Sequence, residues 1–131
     1  ERIADSRIWR KRYGGGMRQI GFLAAAANFA LDNNISRISE DHKHAKTLAT
    51  RINDVAPSVI NPEYVQTNIV GLNLKEIGIT SADLATQAKQ EGVLVSALGP
   101  FYARLVTHLD VTTSEINTAA DVLCSILQVK K

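Results

Sequence analysis

Residues Gly14-Gly15-Gly16 constrain this chain more than any other stretch. Three consecutive glycines pack no side chains and lose more backbone freedom on ordering than other residues, which points to a tight, left-handed path or a backbone pressed against something. Cations flank them, Lys11 and Arg12 before and Arg18 after, and the alanine-rich run Phe22–Ala27 follows. A helix beginning at Arg18 would carry that side chain in its first turn, where free N–H groups, the positive dipole end and a guanidinium together suit an anion. The same residues also read as a loop between two helices, because the run is neither GxGxxG nor a Walker loop.

The helical expectations follow from spacing. Arg2–Tyr13 consists mostly of good helix formers and should stop at the glycines; its Arg7, Arg10, Lys11 and Arg12 are equally readable as a solvated basic face. From Arg18 to Asp32, Ile20, Leu23, Ala24, Ala27, Ala30 and Leu31 follow the i, i+3, i+4, i+7 pattern of one helical face. Small residues thin the rest of that surface, so this helix is expected to be buried on several sides, in a core or a subunit interface. Ile35–Ala56 reads as the longest helix, apolar along Ile38, Ala45, Leu48, Ala49, Ile52 and Val55, and Pro57 stops it. His42 and His44 point in different directions on a helix, whereas two metal ligands on one face need a spacing of three or four. No metal site is expected.

After Pro57 the pattern changes, which sets a domain boundary there and divides the chain into 1–56 and 57–131. Val59-Ile60 and Tyr64–Leu74 have the β-branched, apolar character of strands. Thr80-Ser81-Ala82-Asp83 opens a short helix, buried through Leu84, Ala85 and Ala88 and closed at Gly92. Val93–Ala97 and Arg104–Leu109 predict strands joined by a link too short for a helical crossover, so the sheet is at least partly antiparallel. Along the second, Leu105, Thr107 and Leu109 face one way and Arg104, Val106 and His108 the other. Thr112-Thr113-Ser114-Glu115 caps a last helix with a core stripe of Ile116, Ala119, Ala120, Leu123, Ile126 and Leu127. The fold class is α/β in an α+β arrangement: a helical segment, then a small C-terminal domain with a partly antiparallel sheet flanked by helices.

Composition excludes several classes. With 15 basic and 13 acidic residues the chain is no polycation, and nothing in that balance calls for nucleic acid. The run Phe22–Ala27 is far shorter than the roughly 20 apolar residues of a bilayer span, so no membrane crossing is expected. A single cysteine, Cys124, on the apolar side of a helix fits a structural thiol in a reducing compartment better than a disulfide. The chain starts at Glu1 inside a charged, helix-compatible stretch, as a fragment or processed piece would.

Arg104 is the leading functional candidate. It opens a strand behind a loop carrying Gly99 and Pro100, and a guanidinium there can grip a carboxylate through two parallel hydrogen bonds. The competing reading is a surface arginine paired with a nearby acid such as Asp110. His108, on the same face, reads as a hydrogen-bonded structural partner rather than a proton carrier.

Three stretches, Trp9-Arg10-Lys11-Arg12-Tyr13-Gly14-Gly15-Gly16-Met17-Arg18-Gln19, Leu23-Ala24-Ala25-Ala26 and Arg104-Leu105-Val106-Thr107-His108-Leu109-Asp110-Val111, resemble the C-terminal part of the L-threonine aldolases. These are pyridoxal-phosphate enzymes of the aspartate aminotransferase fold, and the resemblance runs from about Arg7 to Leu127. It implies that Arg104 binds the α-carboxylate of a β-hydroxy amino acid and that Arg18 and Lys11 are cofactor-binding residues near a subunit interface, Arg18 as a cation for the cofactor phosphate and Lys11 adding positive field or holding a water. Residues 1–56 would belong to the large cofactor domain and its linking helix, and 57–131 to the small domain. The resemblance further implies a cytoplasmic homo-oligomer, dimer or tetramer, completed by a missing N-terminal portion. That portion would hold the Schiff-base lysine, so no catalytic residue is expected in this piece, which alone should be inactive; Lys130 and Lys131 do not substitute. Rival readings are another enzyme of the same fold, an aminotransferase or β-eliminating lyase, and a non-catalytic module whose basic N-terminal helix meets an acidic partner or nucleic acid. Against the last, the cations are confined to one end and interleave with only Trp9 and Tyr13.

Overall fold

The computed structural model describes residues 1–128 and divides by contact into two units, Glu1–Ser36 and Arg37–Lys131. Lys130 and Lys131 lie outside the described residues.

In the first unit, helix α1 (Arg2–Arg12) has Asp5 near its start and Arg10, Lys11 and Arg12 in its last turn, a charge order that suits the helix dipole. Trp9 and Tyr13 stack with ring centroids 5.7 Å apart, and the Arg12 guanidinium lies 5.0 Å from the Trp9 ring centroid. Gly14, at φ +77°, turns the chain out of the helix. Helix α2 (Gly21–Asn33) follows, and none of its residues is buried. Phe22, Leu23, Phe29 and Leu31 are all exposed. The expected burial of α2 is therefore not met by any core among the described residues: α1 is mostly charged and polar, and α2 owes much of its apolar character to small alanines, so the pair has too little apolar area to form a core.

The second unit begins with a 3-10 turn (Ile35–Arg37, straddling the division) and helix α3 (Ile38–Val55). Arg37 grips Asp41 with both terminal nitrogens, at 3.1 and 3.2 Å, one turn along. α3 buries His44, Ala45, Leu48, Ala49 and Ile52, whereas Ile38 stays exposed at its solvent end. Val59 and Ile60 are core residues but sit in the turn after Pro57, not in a strand. Their burial without a ladder explains why composition alone reads as β. Of Tyr64–Leu74 only strand β1 (Ile69–Asn73) pairs, because Asn61 caps a 3-10 turn over Pro62–Tyr64 by accepting from Glu63 N–H.

Helix α4 (Ser81–Gln90) starts at Thr80, whose Oγ1 accepts from Asp83 N–H at 3.1 Å. Strand β2 (Ser96–Gly99) starts three residues later and ends two later than its apolar run predicts, and β3 (Tyr102–Val106) starts and ends earlier. Both shifts follow from the tight turn between Gly99 and Tyr102, whose residues pair directly. Helix α5 (Thr113–Leu127) closes the unit behind a complete capping box of Thr112 and Glu115. The sheet runs β1-β3-β2, antiparallel throughout. α3 packs on α5 and β1, and α4 on β2 and α5. The core formed by Leu48, Ile52, Val70, Leu72, Leu84, Ala103, Ile116, Leu123 and their neighbours lies between the helices and one face of the sheet.

Candidate functional site

β3 is paired on both sides, and that fixes the direction of its side chains. Ala103, Leu105 and Thr107 are buried toward the helices, while Tyr102, Val106 and His108 are exposed on the other face and Arg104 is half-buried there. Arg104 therefore sits mid-strand rather than at a strand start, between Gly71 on β1 and Ser96 on β2. Its Nε is buried and, among the described residues, has no hydrogen-bond partner. Asp110 does not neutralise it. That carboxylate lies 3.4 Å from His108 Nδ1, which also accepts from Asp110 N–H at 3.3 Å. A half-buried cation with an unused buried donor is costly unless an anion completes it.

Arg104, Ser96, Val93, Leu94 and His108 line part of a groove of about 590 Å³ bounded by β2, the end of β3 and the start of α5. Asp110 and Glu115 also border it, but each holds a local turn, Asp110 against His108 and Glu115 in the capping box. The Glu115 carboxyl is held below its usual range by the Thr112 N–H and hydroxyl that it accepts from. Thr107 has a structural duty: its Oγ1 donates to Asp41 O at 2.6 Å and its backbone exchanges bonds with Asn68, tying the end of β3 to α3 and to the chain entering β1.

The other two predicted site residues, Lys11 and Arg18, belong to the first unit. Lys11 folds back over the glycine turn, so a Cβ at Gly16 would stand 2.9 Å from Lys11 Cδ and 3.3 Å from Nζ. A side chain at Gly16 would push the end of the lysine aside. The N–H groups of Gly14 and Gly15 are spent on Lys11 O and Arg10 O at the end of α1. Arg18 is not in the first turn of α2. Gln19 adopts a left-handed φ of +52°, so Arg18–Ile20 form a turn and the helix starts at Gly21. Any anion here is thus met by exposed cationic side chains at the turns, not by an arginine in the first turn of α2. A lysine ammonium seated on a glycine turn and an arginine on the next turn are the donor chemistry that a phosphate takes.

His44, unremarked as a functional residue by spacing, is buried, and its Nε2 lies 3.0 Å from Thr113 Oγ1. Its place four residues before Leu48 and eight before Ile52 is the signal that puts it on the core stripe. Cys124 is half-buried, with Sγ donating to Arg51 O at 3.3 Å, and burial pushes its thiol pKa up. That environment makes it a poor nucleophile.

Among known proteins, the low-specificity L-threonine aldolase 1 of Arabidopsis thaliana is 34% identical over 116 residues, 88% of this chain and 32% of its own length. The probable low-specificity L-threonine aldolase 2 of the same plant is 36% identical over 115 residues, 87% of this chain and 32% of its own length. The low specificity L-threonine aldolase of Escherichia coli K12 is 39% identical over 112 residues, 86% of this chain and again 32% of its own length. The chain thus spans about a third of these relatives. The family model described as Beta-eliminating lyase matches residues 1–75, more than half of the chain. The match covers both helices around the glycine turn, α3 and β1, and on that ground the chain belongs to the beta-eliminating lyase family.

Proposed function

We propose that this chain is part of a pyridoxal-phosphate-dependent aldolase that cleaves the Cα–Cβ bond of threonine or allo-threonine to glycine and acetaldehyde. The observation that carries the reading is Arg104, held mid-strand with a buried Nε that no described residue satisfies. The likeness to relatives named threonine aldolases supplies the substrate class. Arg104 grips the α-carboxylate and, from a strand braced on both sides, fixes the rotation about Cα so that the bond to be broken is correctly aligned. Pyridoxal phosphate, when bound, supplies the electron sink for that cleavage. Lys11 and Arg18 fit its phosphate by charge and neutralise it. In this reading residues 1–56 serve the large cofactor domain and its linking helix, 57–131 form the small domain, and the whole works as a cytoplasmic homo-oligomer. Among the described residues no helix is long and apolar enough to cross a membrane.

The complete protein, given L-threonine and pyridoxal phosphate, is expected to release acetaldehyde and glycine in equal amounts; release of a keto acid instead would replace this reading with a transaminating or eliminating one. Arg104→Ala should raise KM by roughly 10- to 150-fold, the worth of one charge-assisted hydrogen bond. Unchanged kinetics would remove Arg104 from the site.

A further inference from the structure

Opposite Arg104 stands a residue without a side chain. Gly71 is its partner on β1, so the outer face of the sheet has a gap on that side. A long, flexible arginine stem beside such a gap can lie down into it. The gap is filled from Arg104's own strand, two residues earlier. Tyr102 shares the face of Arg104, and its ring lies across Gly71 so closely that a Cβ built there would stand 2.5 Å from Tyr102 Oη and 3.2 Å from two ring carbons. Directly opposed residues of an antiparallel pair hold their Cβ atoms about 4.5–5.5 Å apart, so the phenol ring stands beside the base of the Arg104 side chain.

We propose that Tyr102 is a positioning residue for Arg104: its ring closes the space over Gly71, holds the guanidinium off the sheet and presents it to the amino-acid carboxylate already oriented. The proposal rests on the reading of Arg104 as the carboxylate anchor. Its physical content is pre-organisation. An arginine that is restrained before it binds gives up less rotational freedom when the carboxylate arrives. Ring carbons as well as Oη meet Gly71, so the wall is the ring and the hydroxyl is dispensable.

The test measures glycine binding to the complete, cofactor-loaded protein by titration calorimetry, beside KM and kcat for L-threonine and a thermal melt of each variant. Tyr102→Ala is expected to weaken glycine binding and raise KM by roughly 3- to 10-fold, the equivalent of ordering one long side chain on binding, with kcat changed less. Tyr102→Phe should stay within about twofold of the parent, because the wall is kept. Gly71→Ala places a methyl 2.5 Å from Oη, inside contact distance, and displaces the free end of a side chain rather than backbone. It should therefore weaken binding in the parent, yet recover part of the loss in the Tyr102→Ala background, where the methyl refills the gap. General destabilisation does not produce that reversal of sign. Should Tyr102→Ala fail to fold, Tyr102→Leu takes its place. A loss in Tyr102→Phe equal to that in Tyr102→Ala, or the same effect of Gly71→Ala in both backgrounds, overturns the proposal. Parental affinity in Tyr102→Ala alongside lost affinity in Arg104→Ala overturns it as well and leaves the carboxylate reading standing. Parental affinity in Arg104→Ala brings down the underlying reading instead.

Discussion

Thr112 and Glu115 begin the last helix by answering each other's backbone: Thr112 Oγ1 accepts from Glu115 N–H at 3.3 Å, and Glu115 Oε2 accepts from Thr112 N–H at 2.8 Å. Removing the first partner, Thr112→Ala, should cost about 1 kcal/mol in a urea titration, as loss of an N-cap does. Glu115 adds a pH signature. Its folded pKa lies below the ordinary 4.5, so the carboxylate stabilises the fold above that value and the contribution disappears as pH falls through the lower, folded pKa. Glu115→Gln should therefore be less stable than the parent at pH 7, and the two should converge in acid; a gap that persists at pH 3 would mean that charge is not the cause. Such caps were legible as strings of four residues because their chemistry is local. The face of Arg104 was equally legible, from strand alternation. Its lack of a partner was not, since Asp110 is near in sequence and only the turn at His108 shows that this acid is engaged elsewhere.

α3 and α5 were read with little error because each repeats apolar residues every three or four positions against one neighbour. Arg51 ties them at their exposed edge, with Nη2 2.5 Å from Asp121 Oδ1 and Nη1 donating to Asn117 O at 3.3 Å. The bond to Asp121 raises the Arg51 pKa. Between them Ile52 is fully buried, and Ile52→Ala should lower stability by about 2–5 kcal/mol in equilibrium denaturation, whereas Ile38→Ala at the exposed end of the same helix should change it little. Strands were harder to place. Val59 and Ile60 have strand-like composition but bury themselves as a turn, and Val93 and Val95 pack on the core without entering the ladder. Burial and pairing are separate demands, and an apolar run reports only the first. α2 differs in the opposite way: its periodicity describes a face to be covered, in a core or a subunit interface, and within the described residues no core covers it.

At the scale of the molecule, the whole buried core falls between Ala45 and Leu127, inside the second unit, while residues 1–36 contain no buried residue. Helices of 11 and 13 residues are marginal by themselves in water, so α1 and α2 have little beyond local bonds to hold them in this chain. Trypsin reads that difference directly. Its targets Arg7, Arg10, Lys11, Arg12 and Arg18 all lie exposed in the first unit, so brief digestion of the 131-residue chain should shave the amino-terminal helices within the first minutes and leave a resistant piece starting near Arg37. Cleavage spread evenly along the chain would contradict the division. The glycine turn would then be the scissile neighbourhood of an otherwise durable body, cut wherever α1 and α2 are left without a neighbour and shielded wherever one is supplied.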